Sequence, residues 1–191
     1  MASLMIHLLI GQQYCKNQHI EDIDAFLEGN LAPDMVKNKA PTHFSKTERN
    51  ATYTLSILNK VDLPRFCRET KVFDDYHKGV FLHLLTDYIY FNKYLINTPN
   101  YRKFDDHDQL KIRDTLYRDY HRVNKWLMEK YPELKLELIP DDMKTTRDDE
   151  MEIISKYAIS KIIEYCSNVN LAKTYDELCA KYKKKPKSPE M

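Results

Sequence analysis

The chain is short of glycine, with three in 191 residues beside eight prolines. A sheet-rich fold built on many tight turns uses more of both, so this scarcity points away from β architecture. No apolar run approaches the roughly 18 residues that a membrane-spanning helix needs. The apolar opening Met1 to Ile10 is short, lacks a basic flank and contains His7, unlike a secretory leader. The four cysteines, Cys15, Cys67, Cys166 and Cys179, show no CxxC spacing. That excludes a zinc ribbon and a thioredoxin-type motif, and buried free thiols in a reducing compartment are expected instead. Formal net charge is +1, which gives no overall field to steer nucleic acid or an anionic membrane. The expected setting is cytoplasmic. Asn50-Ala51-Thr52 has the form of a glycosylation sequon, coincidental without a secretory route.

What the chain does have is helical periodicity over long segments. The expectation is all-α: a single helical domain over residues 1–182, followed by a disordered charged tail over 183–191. The organising stretch is Gly79 to Phe91, apolar almost all round, as in a helix buried on most sides. Its helix is expected from about Phe73 to Leu95. Two polar residues interrupt it, His83 and Asp87, four apart and therefore on one face, with Tyr76, Val80, Phe91 and Tyr94. A carboxylate in that stripe needs a cation, a metal or several hydrogen-bond donors. His77, six residues before His83, lies about 240° away and is expected to be structural or solvent-facing.

Elsewhere, residues 3–17 read as a first helix carrying His7 among apolar neighbours, where a core histidine bonded to a carbonyl is the plain alternative to a ligand. Glu21 to Glu28 reads as a short helix closed by Gly29-Asn30 as C-cap. Asp34 follows Pro33, whose ring stiffens the backbone; taken alone, it also fits a turn or cap. Phe44 is expected to anchor its loop to the core and bring His43 toward the same region. A helix is expected over 47–60, and another beginning at Asp62 as N-cap with Pro64 in the first turn. Further helices are expected over about 106–131 and 147–169, and a last one contains Leu171, Tyr175, Leu178, Cys179 and Tyr182. Asp119, beside the inner stripe Leu116, Tyr120, Val123 and Leu127, could be a ligand, an acceptor for a ligating histidine, or a solvated charge beside Arg118 and Arg122.

The order His7, then Phe26-Leu-Glu-Gly-Asn-Leu-Ala-Pro-Asp34, Thr42-His43-Phe44 and Gly79-Val-Phe-Leu-His83-Leu-Leu-Thr-Asp87 resembles the zinc-dependent phospholipase C-like family, especially its short bacterial members. The segment Arg118 to Tyr131 is similar to a later helix of that family, so the resemblance spans roughly residues 1–131. It implies an all-helical bundle related in fold to the S1/P1 nucleases, with a buried central helix. It also implies that Asp34, His43, His83 and Asp87 hold one metal ion, with His7 placed for a second. One or two Zn2+ ions are implied; iron, manganese and nickel accept the same donors. The family's secreted members use the amine of a processed N-terminal Trp, where this chain reads Met1-Ala2-Ser3. Their further His-x-x-x-Glu pair has no counterpart at His121, since the residue four later is Lys125.

The implied activity is hydrolysis of a phosphoester by metal-activated water, with Asp34 as candidate base. The alternatives are a non-catalytic helical module cemented by a structural metal, and no metal at all, with His83 and Asp87 as a buried hydrogen-bonded pair.

Overall fold

A computed structural model describes residues 2–45, 61–98, 109–133, 151 and 153–183. The expected helix over 47–60, the sequon, and the tail from 184 onward lie outside them. Every regular element among the described residues is helical, so the fold is all-α.

The chain runs α1 (Leu4–Asn17), α2 (Ile23–Leu31), a 3-10 turn (Ala32–Asp34), α3 (Lys39–Thr42) and α4 (Leu63–Glu69). There follow α5 (Asp75–Ile89), a π-helical turn (Tyr90–Tyr94), a 3-10 turn (Leu95–Asn97), α6 (Gln109–Lys130), α7 (Lys156–Cys166) and α8 (Leu171–Lys183). Side-chain caps set several starts. Ser3, Asp22, Asp62, Asp74 and Ser155 each accept from a backbone N–H in the first turn of the helix that follows.

The centre is α5. Val80 to Asp87 are all buried, and Phe81, Leu82 and Leu84 are fully so. α5 packs most extensively on α2, and α1, α4, α7 and α8 also lie against it. Each large apolar side chain so enclosed contributes about 1.5–3 kcal/mol. The regular helix stops at Ile89, earlier than the spacing predicts, and widens into the π turn. The extra residue per turn lets Tyr90 and Phe91 both face inward.

Two other expectations are corrected. Gly29 and Asn30 do not cap α2; they lie inside it, and the helix continues to Leu31 before tightening into the 3-10 turn. A side chain at Gly29 would run into the Tyr76 carbonyl, and one at Gly79 into the Phe26 carbonyl. The two glycines face each other across the α2–α5 crossing and permit the backbones to touch. The third glycine, Gly11, is similarly crowded: a Cβ there would sit 2.6 Å from Asn30 Nδ2.

The helix expected from 147 begins at Lys156. Ile153 and Ile154 precede it as non-helical backbone, because their N–H groups donate to Asp119 Oδ2 at 2.6 and 2.9 Å. In and around this helix Ile154, Ala158, Ile159, Ile162, Ile163 and Val169 are buried, while Tyr165 is exposed.

The cysteines are free thiols. Cys67, Cys166 and Cys179 are buried and Cys15 partly so. His77 sits at the surface, its Nδ1 2.7 Å from the Asp74 carboxylate.

Candidate metal centre

Five side chains from four places in the chain meet beside α5: His7 from α1, Asp34 from the 3-10 turn, His43 after α3, and His83 with Asp87 from α5. His7, His43, His83 and Asp87 are buried; Asp34 is partly exposed as a residue, but its side chain is only 4% exposed. His83 Nε2 lies 3.1 Å from His43 Nε2 and 3.7 Å from Asp87 Oδ2. His43 Nε2 is 3.4 Å from Asp87 Oδ2 and 3.6 Å from Asp34 Oδ1. His7 Nε2 is 3.3 Å from Asp87 Oδ1, and the His7 ring stacks on His83 with centroids 3.7 Å apart.

Backbone carbonyls decide how two of these rings face. His83 Nδ1 is 2.8 Å from the Asn30 carbonyl oxygen, and His43 Nδ1 is 2.9 Å from that of Lys39. A carbonyl only accepts, so both Nδ1 atoms carry hydrogen and donate. In a neutral imidazole the other nitrogen is then a bare lone pair. Two such lone pairs point at one another across 3.1 Å, with carboxylates on either side. Asp87 Oδ2 and both nitrogens of His7 have no hydrogen-bond partner among the described residues. Acceptors converging without donors are a costly arrangement in a dry interior. One cation among them removes the cost.

The spacing suits such an ion. Donors bound at about 2.0–2.2 Å to one centre lie roughly 3.0–3.6 Å from their neighbours around it, close to the separations found. Two overlapping groups of three qualify as possible metal sites: His7, His83 and Asp87, and Asp34, His43 and His83. His83 belongs to both and has one nitrogen to offer, since Nδ1 is held by Asn30. An ion in either group would therefore use the same His83 nitrogen, so the two groups are alternatives for one ion rather than two independent sites.

Local structure explains how each donor arrives. The glycine-mediated crossing puts the Asn30 carbonyl against His83, and Asn30 Nδ2 reaches back to the His7 carbonyl at 2.6 Å, tying α2 to α1. Thr42 Oγ1 donates to the Pro33 carbonyl, fastening the His43 segment to the turn that carries Asp34. Phe44 ends α3 in the left-handed region, at φ 54°. That conformation costs a side-chain-bearing residue about 1–2 kcal/mol. The Phe44 ring packs edge-on against Phe66, and Ser45 N–H closes the turn on the Ala40 carbonyl. His43 is thereby turned inward.

Charge is set by burial. The His83 imidazolium is disfavoured, to a pKa of about 3, by burial first and then by neighbouring His7. Burial pushes Asp34 up, but His83, His7 and the Lys39 ammonium outweigh it and hold the carboxyl below its usual range. Asp87 also stays well below its usual value, since the groups around it, His43 and His7 included, overcome the effect of burial. At neutral pH the centre therefore presents a neutral His83 between two carboxylates.

Asp119 does not join them. Its carboxylate caps Ile153 and Ile154 and pairs with Arg122 at 3.1 Å, a structural role. Three groups at the centre are missed by the sequence reading. Ala2 N–H donates to Asp87 Oδ1 at 2.5 Å, Asn30 aims His83, and Lys39 Nζ lies 2.8 Å from Asp34 Oδ1. Asn30, four residues after buried Phe26, could have been found as an inward-facing position had α2 been extended past Gly29.

Beside the centre, but not lined by its five residues, is a cleft of about 660 Å3 with walls that include Pro33, Val36, Pro41, Phe44, Phe66 and Val80. Among the described residues no helix is long and apolar enough to cross a membrane. No protein-family model, curated protein or solved structure matches the chain.

Proposed function

We propose that this protein is a metal-dependent hydrolase acting on a phosphoester, with a zinc-type ion held by His43, His83, Asp87 and Asp34 and with His7 completing the shell or serving a second ion. The observation that carries the reading is the pair of facing Nε2 atoms, each forced into the acceptor state by a carbonyl behind it. Imidazole and carboxylate donors suit Zn2+, and iron, manganese or nickel compete for the same set. The fold type that accompanies this reading is the phospholipase C/P1 nuclease bundle, on the sequence resemblance.

These residues would hold an ion that could supply Lewis-acid polarisation of a phosphoryl oxygen and a water acidified to a pKa of about 7. The residues supply the rest. Asn30 and Lys39 carbonyls fix the tautomers of His83 and His43. The donor side chains are buried at 0–4% exposure. Asp34, ionised at neutral pH and nearest the surface, orients an attacking water and accepts its proton.

One observation favours a second reading, a structural metal in a helical module: five protein donors at almost no exposure can fill an inner sphere and leave no open position. The experiment is purification without chelator, metal analysis by mass spectrometry, and assay of a chromogenic phosphodiester before and after chelation. Turnover that needs the ion supports the hydrolase. A stoichiometric ion with no turnover across a panel of phosphoesters supports the structural module.

A further inference from the structure

Lys39 stands apart from the five buried donors. Its side chain is 34% exposed, while the Asp34 side chain it pairs with is 4% exposed and the other donors are less open still. The pair therefore marks the side on which the centre meets solvent. Lys39 is also built into the site: it opens α3, and its own carbonyl holds His43 Nδ1. The same residue thus aims a ligand with its backbone and places an ammonium at the mouth with its side chain.

We propose that Lys39 is the residue that selects a phosphoryl oxyanion at this centre; the proposal rests on the metal reading above. Two ionised carboxylates carry two negative charges, which one divalent ion cancels, and the histidines add none when neutral. Without Lys39 the loaded centre is neutral and has little preference for an anion. With Lys39 it carries a net positive charge at its open edge. In the structure the ammonium rests on Asp34 Oδ1, an oxygen that also faces His43 Nε2. An ion bound to that oxygen weakens the hold on the ammonium, whose flexible stem can then swing to an anion arriving at the mouth. A charge-assisted hydrogen bond to a phosphoryl oxygen is worth about 1.5–3 kcal/mol, or tenfold and upward in affinity.

The test is calorimetric binding of inorganic phosphate to the zinc-loaded full chain, alongside zinc titration, for wild type, Lys39→Met and Lys39→Arg. The expected result has three parts. Lys39→Met binds zinc as tightly as wild type or more tightly, because no ammonium competes for Asp34. It binds phosphate about tenfold more weakly or worse. Lys39→Arg stays within about threefold of wild type for phosphate, since the charge is kept. Phosphate binding that ignores Lys39→Met, or no phosphate binding by zinc-loaded wild type, overturns the proposal and leaves the metal reading standing. Loss of zinc in Lys39→Met also overturns it, making Lys39 a support for Asp34. Wild type that takes up no zinc removes the metal reading itself, and this proposal with it.

Discussion

Asp87 on α5 and Asp119 on α6 are both buried aspartates, at 2% and 0% exposure. What separates them is the supply of donors. Asp119 receives two backbone N–H groups on one oxygen and a guanidinium on the other. Asp87 receives Ala2 N–H on Oδ1, and its Oδ2 faces the Nε2 atoms of His43 and His83 with no donor in place. Burial of a carboxylate is thus uninformative by itself. The completeness of its hydrogen bonding tells a fixed structural charge from one arranged around a cation.

The largest expected effect attacks the geometry behind that difference. Gly79→Ala pushes a methyl into the Phe26 carbonyl, and backbone cannot yield as a side-chain tip would. Stability should fall by about 3 kcal/mol or more, read by chemical denaturation. Zinc uptake should weaken as well, because the same crossing brings the Asn30 carbonyl to His83. Retention of both would show that the α2–α5 contact does not aim the site.

Next come the two aspartates themselves. Asp87→Asn keeps shape and removes charge. It should weaken zinc by about 100-fold or more, roughly 2.7 kcal/mol, read by zinc titration of the folded protein. Asp119→Asn should do the reverse. It should cost about 1–3 kcal/mol of stability through lost acceptance from Ile153 and Ile154, and zinc affinity should not move. Equal loss of zinc in both variants would erase the contrast between the two sites.

The contrast was only half legible in the sequence. The His83/Asp87 pair declared itself through spacing within an apolar helix, and the starts of α1 and α4 followed from periodicity and capping. Asp119 could not be assigned, because its partners lie 34 and 35 positions away and a charged residue beside arginines reads as solvated. The same long-range capture explains why α7 starts late: residues 153 and 154 spend their N–H groups on Asp119 before a helix can use them. Gly29 misled for a physical reason. Glycine marks helix ends and also the places where two backbones must touch, and only the partner helix tells which. Lys39 lies five residues after Asp34, a spacing that no helical or strand rule brings together, since the intervening chain is neither.

The smallest effect is set by protons competing for the same acceptors. In chelated protein, His83 is held neutral down to a pKa of about 3, against 6.5 for an exposed imidazole. Between those values the unfolded chain binds a proton at this histidine that the folded chain does not. Stability therefore rises with pH in that window and is lost as pH falls through it, at about 1.4 kcal/mol per unit for one proton. From pH 6 to pH 5 the denaturation free energy of wild type should fall by roughly that amount. His83→Gln, which cannot titrate, should lose less over the same step. An equal loss in both proteins would show that His83 takes up its proton in the folded state, where that proton would lie between Nε2 and the acceptors that face it. A proton, and not only a metal ion, would then satisfy the facing acceptors on which the metal reading depends.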